Sequence, residues 1–491
     1  MKFKYIIFLF LSIFGIISCT KDFEDINQNP NESEVPVTSA LLTGAQNQLT
    51  TDMWDAWYNG RFGLLYSQYW AQNAYSDESR WLVRAGVNNN YWNYFYTGRA
   101  GNNGGGGIHA LQKIIDLNND GKGQNDQLGS KDNQIAVARI LKAYFFQYLT
   151  DIYGDIPYSE AFKGATNPSP KYDSQESIYT DLVKELKEAS AQIKENELGV
   201  VGDNIYYGDM SKWKKFANSL LLRVGTRMSD AAPSVATDAI NFAIANGLFA
   251  DNSDNAYFHF SSSVPNNNPL NEDRKTRADF AVSKTLLDTM SALNDPRIPA
   301  YAAPAVKSGV FIGKLYGMTP AAAAAEDPGF ISQPSATVLD ATAPGILMNY
   351  AEVQFALAEA VERGIIAGSA ADYYNAGIKA SMTEWGVSEA DADIYVNQSG
   401  VSYSTVSGDW KHKIGFQKWL SLYMQGIQGW SEYRRLDFGV LIFPQPSTVA
   451  YIPSRMRYPT NEQTVNRDNY KAAVASQGAD NLKTKLWWDK F

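Results

Sequence analysis

The stretch AVARILKAYFFQYL, residues 136–149, decides the fold class of this chain. Val137, Ile140, Leu141, Tyr144, Phe145 and Tyr148 fall at i, i+3, i+4, i+7, i+8 and i+11, a spacing that gathers apolar side chains on one face of a helix. A half-buried strand would alternate at every second residue instead. The helix is expected to stop by the YGDIP turn at 153–157, where glycine and proline end the helical pattern.

The same pattern recurs outward from this segment. YDSQESIYTDLVKEL (172–186) opens the next helix, with Asp173 as the expected cap, Glu176 three residues on, and Ile178, Leu182, Leu186 and Ile193 on the inner face. Helical stripes also run through SKWKKFANSLLLRVGTRM (211–228), NYAEVQFALAEAVERG (349–364), AADYYNAGIKASMTEWG (370–386) and KIGFQKWLSLYMQGIQGWSEYRR (413–435). Several of these helices come in pairs joined by short turns. The expected fold is therefore mostly α: tetratricopeptide-like helix pairs that bury a face only by stacking on neighbours, with long irregular loops between them. No clean self-similar period accompanies the pairs, so an irregular helical fold is the alternative. Segments 75–90, 98–106, 118–131, 250–277 and 300–345 lack periodicity and read as loops.

The N-terminus reads as an export signal. Lys2 and Lys4 precede an apolar run from Tyr5 to Ile17, and the run ends at Ile16-Ile17-Ser18-Cys19, which resembles a bacterial lipobox. Cys19 is the only cysteine in 491 residues, so neither a disulfide framework nor a cysteine metal site can use it. Residues 1–18 are expected to be a signal peptide, 19–38 a lipidated Cys19 with a polar tether, and 39–491 the functional domain. After the signal no apolar stretch of about 18 residues recurs, so a lipid anchor rather than a spanning helix is expected to hold the chain at a membrane.

A formal net charge of −9 offers no basic footprint, which argues against nucleic acid as a partner. Signatures of the common hydrolases are missing: His109, His259 and His412 are far apart, and neither an HExxH nor a Gly-x-Ser-x-Gly motif occurs. The glycine-rich GNNGGGG (101–107) lacks the Lys-Ser/Thr of a phosphate-binding loop. In DLNNDGKGQNDQ (116–127), Asp116, Asn118 and Asp120 occupy positions 1, 3 and 5 of a calcium loop and Gly121 position 6, but Gln127 replaces the bidentate glutamate. That segment reads either as a weak calcium site or as a solvated turn.

Aromatic residues make up 13% of the chain and crowd between Trp54 and Tyr96. Sugar rings stack their C–H faces on such side chains, while arginine and asparagine bond the surrounding hydroxyls. AYSDESRWLVRAGVNNNYW (74–92) mixes these types on an expected loop. Trp81, flanked by Arg80 and Arg84 and followed by Asn88, is the candidate platform, with a core role as its alternative. Trp54, Trp57, Trp70, Tyr91 and Trp92 are expected in the core.

Several motifs together carry a family resemblance: CTKDFEDINQNPN (19–31), ARILKAYFFQYLTDIYGDIPYSEAF (138–162), WKKFANSLLLRVGTRM (213–228), QKWLSLYMQGIQGWSEYRRLDFG (417–439) and PSRMRYPTNEQTVNRDNY (453–470). The chain resembles the SusD/RagB family of nutrient-binding outer-membrane lipoproteins of the Bacteroidetes. The resemblance implies a binding protein rather than an enzyme. It would sit at the cell surface and pass captured oligosaccharide to a SusC-like TonB-dependent transporter, with peptide capture as an alternative and a surface hydrolase as a third reading. It also implies that the acidic run Lys21–Asp25 is a surface-export tag, and that the ligand loops are the stretch holding Trp81 and SSSVPNNNPLNEDRK (261–275). Some family members bind calcium near the ligand.

Overall fold

The stripe at 137–148 becomes the helix Lys131–Tyr153, with Val137, Ile140, Leu141, Tyr144 and Phe145 wholly buried. Ser130 caps its start by accepting the Asn133 N–H, and Gly154, at φ +86°, ends it at the expected turn. The computed structural model describes residues 36–99, 106–122, 126–444 and 451–491. Cys19 and nearly all of the tether lie outside the described residues, and the helices among the described residues belong to the unit Thr38–Phe491.

Eleven of the helices among the described residues are, in chain order, α1 (Thr38–Trp54), α2 (Ala85–Thr97), α3 (Gly107–Asn119), α4 (Lys131–Tyr153), α5 (Gln175–Gln192), α6 (Met210–Arg227), α7 (Pro233–Ala245), α8 (Tyr350–Glu362), α9 (Ala370–Glu384), α10 (Trp410–Ser421) and α11 (Gly426–Leu436). Sequence neighbours are also spatial neighbours: α3 packs on α4, α4 on α5, α5 on α6, α6 on α7 and α8 on α9. This is the stacked-pair arrangement that the periodicity implied. Among the described residues no helix is long and apolar enough to cross a membrane.

Three local expectations are corrected. The helix after the YGDIP turn is capped by Ser174, which accepts the Ser177 N–H, because Asp173 is used elsewhere: its carboxylate takes the backbone N–H groups of Tyr158 and Ser159. The segment 413–435 is two helices, since the chain turns at Met424 (φ +71°) to pass the 59–63 segment. There the Cβ of any residue replacing Gly426 would lie 2.1 Å from the carbonyl carbon of Gly63, so only glycine fits. Residues 85–92, read as loop, form the first part of α2. Gly86 and Asn88–Asn90 are poor helix formers, but burial of Tyr91, Trp92, Phe95 and Tyr96 on one face overrides that preference.

Strands are few and short, and pair as three antiparallel ladders: β1 (Trp70–Gln72) with β5 (Phe280–Val282), β2 (Ile156–Pro157) with β3 (Tyr172–Asp173), and β4 (Ala256–Phe258) with β6 (Gly345–Met348). The long segment 300–345 is pinned onto this frame. Lys314 pairs with Ser283 as an isolated bridge, and its buried Nζ donates to the Ala323 carbonyl at 2.9 Å.

Charges inside the helical stack are matched one to another. Arg223 of α6 forks onto Glu352 of α8 with both nitrogen–oxygen distances 2.7 Å. Arg227, one turn on, reaches Asp151 of α4 at 2.8 Å and Glu432 of α11 at 3.0 Å. Glu432 also receives Arg435 at 2.6 Å and Lys418 of α10 at 3.2 Å, and Arg435 continues to Glu359 of α8. Burial alone would raise the Glu432 pKa, but Arg435, Lys418 and Arg227 hold its carboxyl far below the usual carboxylate range. Helices α4, α6, α8, α10 and α11 thus share one buried network.

Candidate functional site

The β1–β5 ladder fixes where the loops meet. Gln72 pairs with Phe280, and one step further the Asn73 N–H donates to the Asp279 carbonyl at 2.6 Å while Asn73 Nδ2 donates to the Ala278 carbonyl at 2.9 Å. The segments 73–84 and 273–279 therefore leave the ladder side by side. The first lies within, and the second overlaps the end of, the two stretches that the family resemblance marked as ligand loops.

Between them stands Tyr75, 54% exposed, with the Arg84 and Arg277 guanidiniums 5.7 and 5.6 Å from its ring centre. The turn that carries it is held from inside by Gln72, whose Nε2 donates to the Tyr75 carbonyl at 3.0 Å and whose Oε1 accepts the Ser79 N–H at 3.0 Å. Gln72 also donates to the buried Glu78 at 2.8 Å. Glu78 pairs with Arg84 at 3.4 Å and with Arg61 at 3.1 Å. Arg61 sits in a single π-helical turn, Asn59–Gly63, and its guanidinium lies 4.6 Å from the ring centre of Trp57. Trp57 is 48% exposed. One connected chain of contacts thus runs from Trp57 through Arg61, Glu78 and Arg84 to Tyr75, and on through Arg277 to Asp279, which accepts Arg277 Nε at 2.8 Å.

Cations and carboxylates alternate along this chain of contacts, with Arg61 and Glu78 buried beneath it and Arg84 and Arg277 partly open beside Tyr75. Burial raises the Asp273 pKa, reinforced by Asp279 and opposed by Arg277, Arg274 and Arg61, which places each of these charges within electrostatic reach of Asp273. Burial likewise lowers the Arg274 pKa. Two aromatic faces with arginine set against them, rimmed by side chains that donate and accept, can hold a ring with an apolar face and a hydroxyl edge. Arginine against each ring limits its motion, so less entropy is lost when a ligand stacks.

The sequence-predicted residues fall into different places. Arg84 belongs to this surface. Arg80 is half-buried at the last position of the turn Glu78–Arg80. Trp81 is only 5% exposed, at φ +66°, with its ring edge-on to Tyr66 at 5.3 Å and against Tyr316 at 5.7 Å. It is therefore not an open platform: its ring packs against the core, and together with Asn88 it also lines a cavity of about 340 Å³. Asn88 is buried and spent on structure, donating to the Arg457 carbonyl at 2.9 Å and accepting the Tyr153 hydroxyl at 2.8 Å. Trp57, expected in the core, is an open ring. Its setting in DAWYNG, with turn-forming Asp55, Asn59 and Gly60 around it, was the available signal.

The calcium-loop residues do not converge. Asp116 and Asn118 lie in the last turn of α3, where positions two apart point away from each other. Asn118 is buried and donates to the Ile114 carbonyl, Asp116 accepts Gln112 on the exposed side, and Asp120 follows the helix end. Residues 123–125 of that segment lie outside the described residues. Among the described residues no group of three or more His, Cys, Asp or Glu side chains could hold a metal ion. None of the histidines takes part in these contacts: His109 packs against Phe162, His259 against Tyr207, and His412 meets the Phe438 carbonyl.

Comparison with known proteins agrees with this architecture. A family model described as "Starch-binding associating with outer membrane" matches residues 30–459. No curated protein matches the chain. Among solved structures, one named a chitin-binding protein is 29% identical and superposes with a TM-score of 0.79, covering 92% of this chain and 100% of that one. A SusD homolog from Bacteroides fragilis is 25% identical with a TM-score of 0.74, covering 93% of this chain and 99% of that one. A chitin-binding SusD homolog from Flavobacterium johnsoniae shares the fold at 24% identity and a TM-score of 0.78, covering 92% of this chain and 98% of that one.

Proposed function

Since the chain belongs to the SusD-like family described as starch-binding and associating with the outer membrane, we propose that it captures oligosaccharide on the Trp57–Tyr75 surface and transforms nothing. The observation that carries this reading is the pair of open rings, each with an arginine set against it: Tyr75 on loops locked together by the β1–β5 ladder, and Trp57 tied to them through Arg61 and Glu78. A capture protein must also release its ligand. Stacking on one or two rings with solvent-exposed hydrogen bonds suits dissociation constants of roughly micromolar to millimolar. The starch named in the family description and the chitin named for one similar structure make malto- and chito-oligosaccharides the first probes.

The test is binding of residues 20–491 to malto- and chito-hexaose by calorimetry, with affinity electrophoresis on soluble starch and glycol chitin. Trp57→Ala is expected to weaken binding by about 10- to 100-fold, the usual cost of truncating an aromatic anchor, with the melting temperature preserved. Heat with a protein digest and none with any glycan would move the chain to the peptide-capturing reading.

Location and partner extend the same reading. Cys19 would carry the lipid that anchors the chain to the outer membrane, facing the cell surface, and a SusC-like TonB-dependent transporter would accept the captured ligand. Cys19→Ala is expected to move the protein from the membrane fraction to the soluble fraction without changing its melting temperature. Sedimentation of the variant with outer membranes would refute the anchor.

A further inference from the structure

The turn between residues 202 and 208 is fixed from several directions. The buried Asp203 carboxylate accepts the backbone N–H groups of Ile205, Tyr206 and Gly208 at 2.9, 3.2 and 3.0 Å, and Trp213 Nε1 at 2.7 Å. Gln46 of α1 donates to the same carboxylate at 2.9 Å and accepts the Asn204 N–H at 2.7 Å. Tyr207 is held there at φ +54°, a left-handed conformation that costs a non-glycine residue on the order of 1 kcal/mol. The result is a side chain 70% exposed, more open than Trp57 or Tyr75. The strained backbone holds this ring on the surface, not in the core.

The Tyr207 ring stacks on the imidazole of His259, with centres 5.2 Å apart and planes 24° apart. His259 lines a cavity of about 510 Å³ together with Thr43, Asn47, Asn204, Ser261 and Asn266. Asn47 Nδ2 donates to Asn266 Oδ1 at 3.3 Å, so amides from α1 and from the 261–268 loop meet at its rim. Burial lowers the His259 pKa, opposed by Asp203, which favours a neutral stacking partner at neutral pH. The cavity offers amide and hydroxyl edges beside one rigid aromatic face, and Phe258 is its one large apolar lining residue.

We propose that Tyr207 and this amide-rimmed cavity form a second glycan-contact surface, separate from the Trp57–Tyr75 site, that takes one pyranose unit. The sugar's C–H face lies on Tyr207 and its hydroxyls reach Asn47, Ser261 and Asn266. The inference rests on glycan capture at the Trp57–Tyr75 surface and adds a second point of attachment, which raises the retention of polymers that present many units.

The test uses affinity electrophoresis on soluble starch and glycol chitin with four proteins: wild type, Trp57→Ala, Tyr207→Ala and the double variant. Trp57→Ala should keep a residual retardation that the double variant loses. Tyr207→Ala alone should weaken retention by polymer severalfold, and Tyr207→Trp should restore it. Equal retardation of Trp57→Ala and the double variant, with Tyr207→Ala like wild type, overturns the second surface while leaving the first intact. Wild type unretarded on both polymers overturns both. Heat from a protein digest that disappears in Tyr207→Ala assigns the surface to peptide and overturns the inference.

Discussion

Glu432→Ala is expected to lower the unfolding free energy by about 3–5 kcal/mol, read as a fall in the urea midpoint at an unchanged slope. The side chain is buried and receives Arg227, Arg435 and Lys418 from three helices. Removing it leaves three cations with part of their compensation gone, in an interior where water cannot replace it. Burial works against the charged glutamate, and the cations outweigh that effect, so the folded pKa lies below the ordinary 4.5. The unfolded chain then binds the proton more readily than the folded one. The stabilisation is fully present above about pH 4.5 and is lost as the pH falls below it, and the variant should lack that share of the acid sensitivity. A midpoint unchanged in Glu432→Ala would show that the network contributes specificity without stability.

Trp81→Ala should also cost about 3–5 kcal/mol, because a large buried ring is removed from between Tyr66 and Tyr316 and the cavity collapses only partly. Alanine keeps the same unfavourable positive φ, so it recovers nothing from the backbone. At a temperature where the variant is still folded, its affinity for hexaoses should remain near that of wild type, in contrast to Trp57→Ala. A held urea midpoint with lost glycan affinity would return Trp81 to the ligand and displace Trp57 from that role.

The two tryptophans show where sequence reading succeeds and where it ends. The stripe from Val137 to Tyr148 announces its helix because the information is local: burial on one face repeats with the helical period. Trp81 and Trp57 carry no such period. Trp81 is covered by Tyr316, more than two hundred positions away, and Trp57 is left open because its neighbours turn inward to Glu78 and Met424. The stretch singled out by composition includes Tyr75 and Arg84, yet not Arg277, which reaches Tyr75 only because β1 and β5 pair. Those strands are three residues each, too short to show alternation. Asn118 is engaged locally for a related reason: it lies in the last turn of α3, and its amide donates to the Ile114 carbonyl.

The close approach of Gly63 and Gly426 has a consequence for the order of assembly. Asn59 donates to the Met424 carbonyl at 3.1 Å, the Tyr69 hydroxyl donates to the Trp419 carbonyl at 2.5 Å, and Trp419 Nε1 returns to the Ser67 carbonyl at 3.0 Å. Each of these contacts closes a loop of some three hundred and fifty residues, so the early segment that carries Trp57 and Arg61 cannot be seated until the segment beyond residue 415 has emerged. High contact order of this kind slows folding and prolongs exposure of the early aromatic segment. The Trp57 side of the proposed capture surface is thus a late product of folding, and a chain interrupted before α10 would expose these rings without being able to fix them in place.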